Sequence, residues 1–296
     1  MRRCSPMGEP MDRRLFLAAA AALAVPGVAG AAAPPRTHRY ASTPGVDANL
    51  QSLDFYGAGG SDAPLAVFIH GGGWRIGDKA NLPHGRQKAA AFNAAGFAFA
   101  SLNYRLSPAV QHPAHVEDVA AGIAWLHANA RRLGFDRDRI VVMGHSAGAH
   151  LAALVATDAR RLGRHGLTPA VLRGAVLLDG AGYDVAAQAR ATIARGGFAG
   201  AMYADAFGRD GALWADASPV THVAPGKGVP PFLIVHTDRI DATRQSTLLA
   251  SRLRAAGVDA QLFLARGYTH AAVNRRFGEP GEAVTGAVFG ALRSWM

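Results

Sequence analysis

From Leu50 onward, short continuous apolar runs alternate with longer segments in which apolar residues recur every three or four positions. Runs such as Leu65-Ala66-Val67-Phe68-Ile69 show no polar alternation, which marks strands covered on both faces. This pattern predicts strands over 50–56, 65–69, 97–102, 139–143, 172–178, 231–236 and 259–265. It predicts helices over 83–95, 115–133, 146–157, 244–256 and 283–295. Regular strand-helix alternation implies an α/β fold, a mostly parallel central sheet with helices on both faces. Residues 34–47 are polar and punctuated by Pro and Gly, and read as an extended lead-in.

The rhythm weakens in two places. Between Gly180 and Ala217 several glycines interrupt a stretch bearing Tyr183, Phe198, Met202, Tyr203, Phe207 and Trp214. An excursion leaving the carboxyl end of a strand is expected to lie over the site as a small cap, with Phe198 and Trp214 shaping its pocket. At the other end, Arg13-Arg14 precede the short apolar run Leu15 to Val25 and a small-residue tract ending at Ala33. Charged start, short apolar middle and Ala-rich end predict a signal peptide over residues 1–33, of twin-arginine type, with 34–296 as one folded domain in the periplasm or outside the cell.

Composition changes the picture little. The chain has 296 residues, 50% apolar and 18% charged, a soluble globular balance. Its one cysteine, Cys4, lies in the segment expected to be removed, so disulfides and thiolate metal sites are not expected. The formal charge of +10 falls to +8 once residues 1–33, with four arginines and two acids, are discounted. Arginines are scattered singly or in pairs without interleaved aromatics, so no nucleic-acid partner is expected. A surface that binds acidic polymers is a separate possibility, distinguished by salt-sensitive retention. No metal-ligand spacing or dinucleotide-binding glycine pattern is present, and no cofactor is expected.

Chemistry concentrates at Gly144-His145-Ser146-Ala147-Gly148, which joins a predicted strand to a predicted helix. Glycines flanking the bend remove side chains that would collide there, and Ser146 is held with its hydroxyl at the sheet's edge, a nucleophile's position. Its proton needs a base, and the base needs an acid to orient it. His270 follows the strand 259–265, and Asp238 or Asp241 follows the strand 231–236. His70, His145 and His150 read as a loop-setting hydrogen bonder, turn filler and helix residue. Glu117 and Asp118 read as partners of a helix start. The run His70-Gly71-Gly72-Gly73-Trp74 ends another strand, and the backbone N–H groups of Gly72, Gly73 and Ala147 are expected to form an oxyanion hole.

Taken together, His70-Gly71-Gly72-Gly73-Trp74-Arg75-Ile76-Gly77-Asp78-Lys79, Asn103-Tyr104-Arg105-Leu106-Ser107-Pro108, Gly144-His145-Ser146-Ala147-Gly148-Ala149-His150 and Gly267-Tyr268-Thr269-His270 resemble the α/β-hydrolase esterases of the hormone-sensitive-lipase and carboxylesterase type. The resemblance spans roughly residues 50–295. It implies cofactor-free cleavage of a small ester through an acyl-enzyme, with Ser146 as nucleophile, His270 as base and an aspartate as orienter. Asp238, seven residues before Gln245, matches the related enzymes' spacing and is the expected acid, with Asp241 expected to cap the following helix. The glycine loop is also similar to that of arylformamidases, which makes an amide hydrolase the alternative. A catalytically silent binding protein on the same fold is a third reading. Acyl preference and oligomeric state are not legible in the sequence.

Overall fold

The computed structural model describes residues 32–81, 84–180 and 182–296. The expected signal segment therefore lies, apart from Ala32 and Ala33, outside the described residues. Among the described residues, no helix is long and apolar enough to cross a membrane.

The chain begins with β1 (Arg36–Arg39), β2 (Ser52–Tyr56) and β3 (Leu65–Ile69). Next come α1 (His84–Ala94), β4 (Ala98–Leu102), α2 (Ala114–Leu133), β5 (Ile140–His145), α3 (Ala147–Thr157) and α4 (Ala159–Gly163). After β6 (Leu172–Leu178) four helices follow without a strand: α5 (Val185–Arg195), α6 (Gly197–Phe207), α7 (Gly211–Asp216) and α8 (Pro219–His222). The alternation then resumes with β7 (Phe232–His236), α9 (Ile240–Ala255) and β8 (Ala260–Leu264), and ends with α10 (His270–Arg275) and α11 (Ala283–Trp295).

All eight strands form one sheet in the order β1-β2-β4-β3-β5-β6-β7-β8. β2 runs antiparallel to both β1 and β4, and the pairings from β4 through β8 are parallel. The expected α/β architecture is therefore the observed one. Its strands separate their apolar residues by parity: Leu65, Val67 and Ile69 enter one core, while Ala66 and Phe68 enter the other. β5 does the same with Ile140 and Val142 against Val141 and Met143. The first core is closed by α2, α3 and α9 through Val119, Leu151 and Leu249. The second is closed by α1 and α11 through Phe92, Val288 and Leu292. This two-sided covering explains why the central strands read as unbroken apolar runs.

Three local expectations are corrected. The lead-in contains β1, which pairs with β2 as an edge strand of four polar residues, exposed except for the half-buried His38, so it carries no apolar signal. The helix expected from residue 244 starts at Ile240, because Arg239 is its N-cap and Asp241 sits in its first turn. The six-residue helix α10 falls where the pattern predicts no element, being too short to show a period.

Histidine burial has a consequence for the whole fold. His112, His115, His145 and His150 are all buried, and burial pushes the first down to about 4 and the other three to about 3. An unfolded chain binds these protons near pH 6.5, whereas the folded chain refuses them until pH 3–4. The stability they support is thus present above pH 6.5 and is lost as pH falls below it. Urea denaturation between pH 7 and 4.5 is expected to show a falling midpoint, with unfolding at pH 5 taking up about four protons from these groups. A flat midpoint across that range would remove these histidines from the balance.

Candidate active site

β5 turns into α3 at Ser146, whose backbone lies at φ 57 and ψ −118, a region rarely adopted by residues with a side chain. The strained residue is held by its own N–H, which donates to the Leu178 carbonyl at 3.0 Å, and its carbonyl accepts from Ala149 and His150 at the start of α3. The turn is so tight that a methyl at Gly148 would enter the Ile69 carbonyl, and one at Gly144 would enter Gly148. The two glycines of the motif are therefore required by close backbone approach.

His270 is the first residue of α10, directly after the N-cap Thr269. Its Nε2 stands 3.0 Å from Ser146 Oγ. Its Nδ1 stands 2.7 Å from Asp179 Oδ2. A carboxylate can only accept, so the ring proton resides on Nδ1 and Nε2 presents a lone pair to the serine hydroxyl. Asp179 is fully buried at the carboxyl end of β6. Its Oδ1 accepts from the Thr237 N–H at 2.9 Å and the Thr237 hydroxyl at 3.0 Å, and Oδ2 also accepts from Arg239 Nη2 at 3.1 Å. Burial pushes this carboxyl up, but the bonds from His270 and Thr237 and the Arg239 charge outweigh it and hold it at about 2. It is therefore ionised at neutral pH.

The expected acid is corrected: Asp179, not Asp238, meets His270. Asp238 is exposed, and its carboxylate accepts only a long 3.4 Å bond from the Gly267 N–H among its recorded contacts. Asp241 pairs with Arg239 at 3.4 Å rather than with the histidine. β6 and β7 are parallel neighbours, with Leu178 opposite Val235, so the first residue past β6 lies beside the first residues past β7. Asp179 thus occupies the position that Asp238 was expected to fill, and Thr237 donates to it from the next strand. A signal existed: Asp179 directly follows the unbroken apolar run Ala175-Val176-Leu177-Leu178 and precedes the cap excursion.

Gly73 and Ala147 line one cavity of about 330 Å³ with Ser146, Asp179 and His270. Gly72 lines a different cavity, of about 250 Å³, which shares no lining residue with the first. Gly72 and Gly73 have φ of 105 and 62, and a methyl on Gly73 would strike Met202 of the cap. His70 sets the loop as expected, with Nδ1–H donating to the Gly71 carbonyl at 2.8 Å and its ring stacked on Tyr104 at 4.5 Å. His150 bridges Trp74 Nε1 and the Ala217 carbonyl, joining the glycine loop to the cap. Asp118 accepts from Arg105 at 2.7 and 2.9 Å and from Gln51, while Glu117 pairs with Arg164, so both are structural.

The cap exists as α5–α8, and Thr192, Arg195, Ala199, Met202 and Tyr203 from it line the serine's cavity. Phe198 and Trp214 do not. Phe198 is 77% exposed with the Arg75 guanidinium over its ring, and Trp214 is buried against the core and donates to the Gly208 carbonyl. Among the described residues, one acid and histidine cluster has ligand spacing, Asp158, Asp216 and His222. Its carboxylates already pair with Arg160 and Arg161, which leaves a cation competing with two guanidiniums.

Residues 53–253 match the BD-FAE family model. That span includes Ser146 and Asp179 and stops short of His270. Esterase LipC of Mycobacterium tuberculosis is 32% identical over 202 residues, which are 65% of this chain and 49% of LipC. Kynurenine formamidase of Meyerozyma guilliermondii is 36% identical over 104 residues, 35% of this chain and 38% of that protein. The chain thus spans about half or less of the length of these relatives. Among solved structures, the esterase of Pyrobaculum calidifontis superposes with a TM-score of 0.67 at 27% identity, over 82% of this chain and 81% of that one. The fold is accordingly the α/β-hydrolase fold, and the chain belongs to the BD-FAE family.

Proposed function

We propose that this chain hydrolyses carboxylic esters through an acyl-enzyme on Ser146. The observation that carries the reading is the unbroken chain from Ser146 Oγ through His270 to Asp179 on the wall of a cavity. Ser146 Oγ attacks the ester carbonyl carbon while its proton passes to His270 Nε2. Negative charge collects on the carbonyl oxygen, and the N–H groups of Gly72, Gly73 and Ala147 are its proposed donors. As the carbon–oxygen bond breaks, His270 returns the proton to the departing alkoxide and the alcohol leaves. Water then repeats the attack, giving its proton to His270, and the carboxylic acid departs as Ser146 recovers its hydrogen. Asp179 keeps the ring tautomer and offsets the imidazolium charge.

The cavity's size suits a short acyl or aryl group: about 330 Å³, lined by Met202 and Tyr203 and by the polar Gln188, Thr192, Arg239 and Asp241. The same apparatus would cleave an aryl formamide, a reading favoured by the likeness to kynurenine formamidase. Activity outside the cytoplasm is part of the proposal and rests on the residue pattern ahead of Ala33.

Ser146→Ala is expected to lower kcat on a p-nitrophenyl ester by about 10⁴-fold or more while leaving the denaturation midpoint in place. Asp179→Asn should lower kcat by roughly 10²–10⁴-fold, whereas Asp238→Asn should stay within about twofold of wild type. Loss confined to Asp238→Asn would return the orienting role to that residue. Met202→Ala should raise kcat/KM for longer p-nitrophenyl esters relative to the acetate by about tenfold, and an unchanged chain-length profile would take Met202 out of the acyl pocket. Protein recovered from the native host's culture fluid or periplasm should begin, by mass spectrometry, at about residue 30–35. Full-length protein confined to the cytoplasm would refute export.

A further inference from the structure

The histidine of the candidate triad rides on a poor platform. α10 has six residues, and Val273 is its one buried side chain. Helices this short do not hold themselves in water. Two buried donors from other elements grip its carbonyls from below, one turn apart. His145 Nε2 stands 2.9 Å from the His270 carbonyl, and Lys88 Nζ donates to the Asn274 carbonyl at 2.7 Å. His145 follows from the serine turn itself, but Lys88 comes from α1, far along the chain.

Lys88 is an unusual residue to find there. It is fully buried, with its nitrogen 5.0 Å from the Phe68 ring centre and 5.5 Å from that of Phe277. Burial pushes it down to about 7, against the pull of Glu282. Either protonation state keeps an N–H for the Asn274 carbonyl. A buried amine with one recorded hydrogen bond is a costly way to fill space between two phenylalanines, and its N–H donor is what an apolar side chain of similar length would not supply. The Asn274 carbonyl, at the carboxyl end of a short helix, is one that the helix itself leaves without a partner.

We propose that Lys88 is a positioning residue for His270, acting through α10. By fixing the carbonyl end of that helix it sets the height and rotation at which His270 Nε2 meets Ser146 Oγ. The inference rests on Ser146 and His270 acting as nucleophile and base. It adds a residue in α1 that touches neither substrate nor triad.

The test uses the full chain with Lys88→Met and Lys88→Arg. Two rates are measured, turnover of p-nitrophenyl butyrate and the second-order rate of Ser146 labelling by a fluorophosphonate. Lys88→Met is expected to lower kcat and the labelling rate together by about 10–100-fold with KM within about twofold, since small misplacement of a base costs that much. Its urea midpoint is expected to fall modestly, because the Asn274 carbonyl loses its donor, with the protein still folded under assay conditions. Lys88→Arg, which retains N–H donors, should recover part of both rates. A folded Lys88→Met protein with wild-type rates would overturn the proposal. So would a Lys88→Met chain that fails to fold while Lys88→Arg folds, since that would make the lysine a stability element. Wild type that labels but leaves esters intact would defeat the ester reading alone, and the labelling arm would still decide the role of Lys88.

Discussion

The whole site depends on how closely two backbones approach at the end of β5. Gly148 lies against the Ile69 and His70 carbonyls, and Gly144 lies against Gly148, with no room for a methyl at either place. That approach fixes the junction of β5 and α3, and with it the strained backbone of Ser146. α3 can sustain the strain because every one of its residues is buried, so its packing outweighs a local cost of roughly 1–3 kcal/mol. The same contact brings the glycine loop beside the serine, since a methyl on Gly71 would meet Ser146 Cβ.

Around this fixed point the sheet order places everything else. β3, β5, β6 and β7 are consecutive parallel neighbours, so the glycine loop, Ser146, Asp179 and Thr237 all emerge at one edge. Parallel strands supply this convergence at their carboxyl ends, where the following loops are free of ladder hydrogen bonds. Asp179 is then surrounded by five donor groups: His270 Nδ1, the Thr237 N–H and hydroxyl, and Arg239 Nε and Nη2. A fully satisfied carboxylate stays ionised despite burial, which is the electrostatic condition for orienting an imidazole.

The cap is attached by aromatic packing and charge. Trp74 of the glycine loop meets Tyr203 and Phe207 edge-on at 5.3 and 4.7 Å, and Asp216 is held by His112, Arg160 and Arg161. The cap thus forms one wall of the cavity and also presses on the loop that carries the proposed oxyanion donors. Phe198 turns outward from that wall.

The sequence by itself determined the central strands, the covering of both sheet faces, the serine turn, the glycine loop and His270. Each of these is written in a contiguous stretch whose spacing has one physical meaning. Tertiary structure alone decided the acid, because Asp179 and Asp238 both stand just past a parallel strand, and only the lateral offset of β6 against β7 separates them. It also decided that His145 and Lys88 grip α10, that Phe198 faces solvent, and that Asp241 pairs with Arg239. These are contacts between segments distant in the chain, where neither period nor motif constrains which side chain arrives. A buried lysine among phenylalanines reads in sequence as an ordinary solvated position of a helix, since only the packed neighbours reveal that water is excluded.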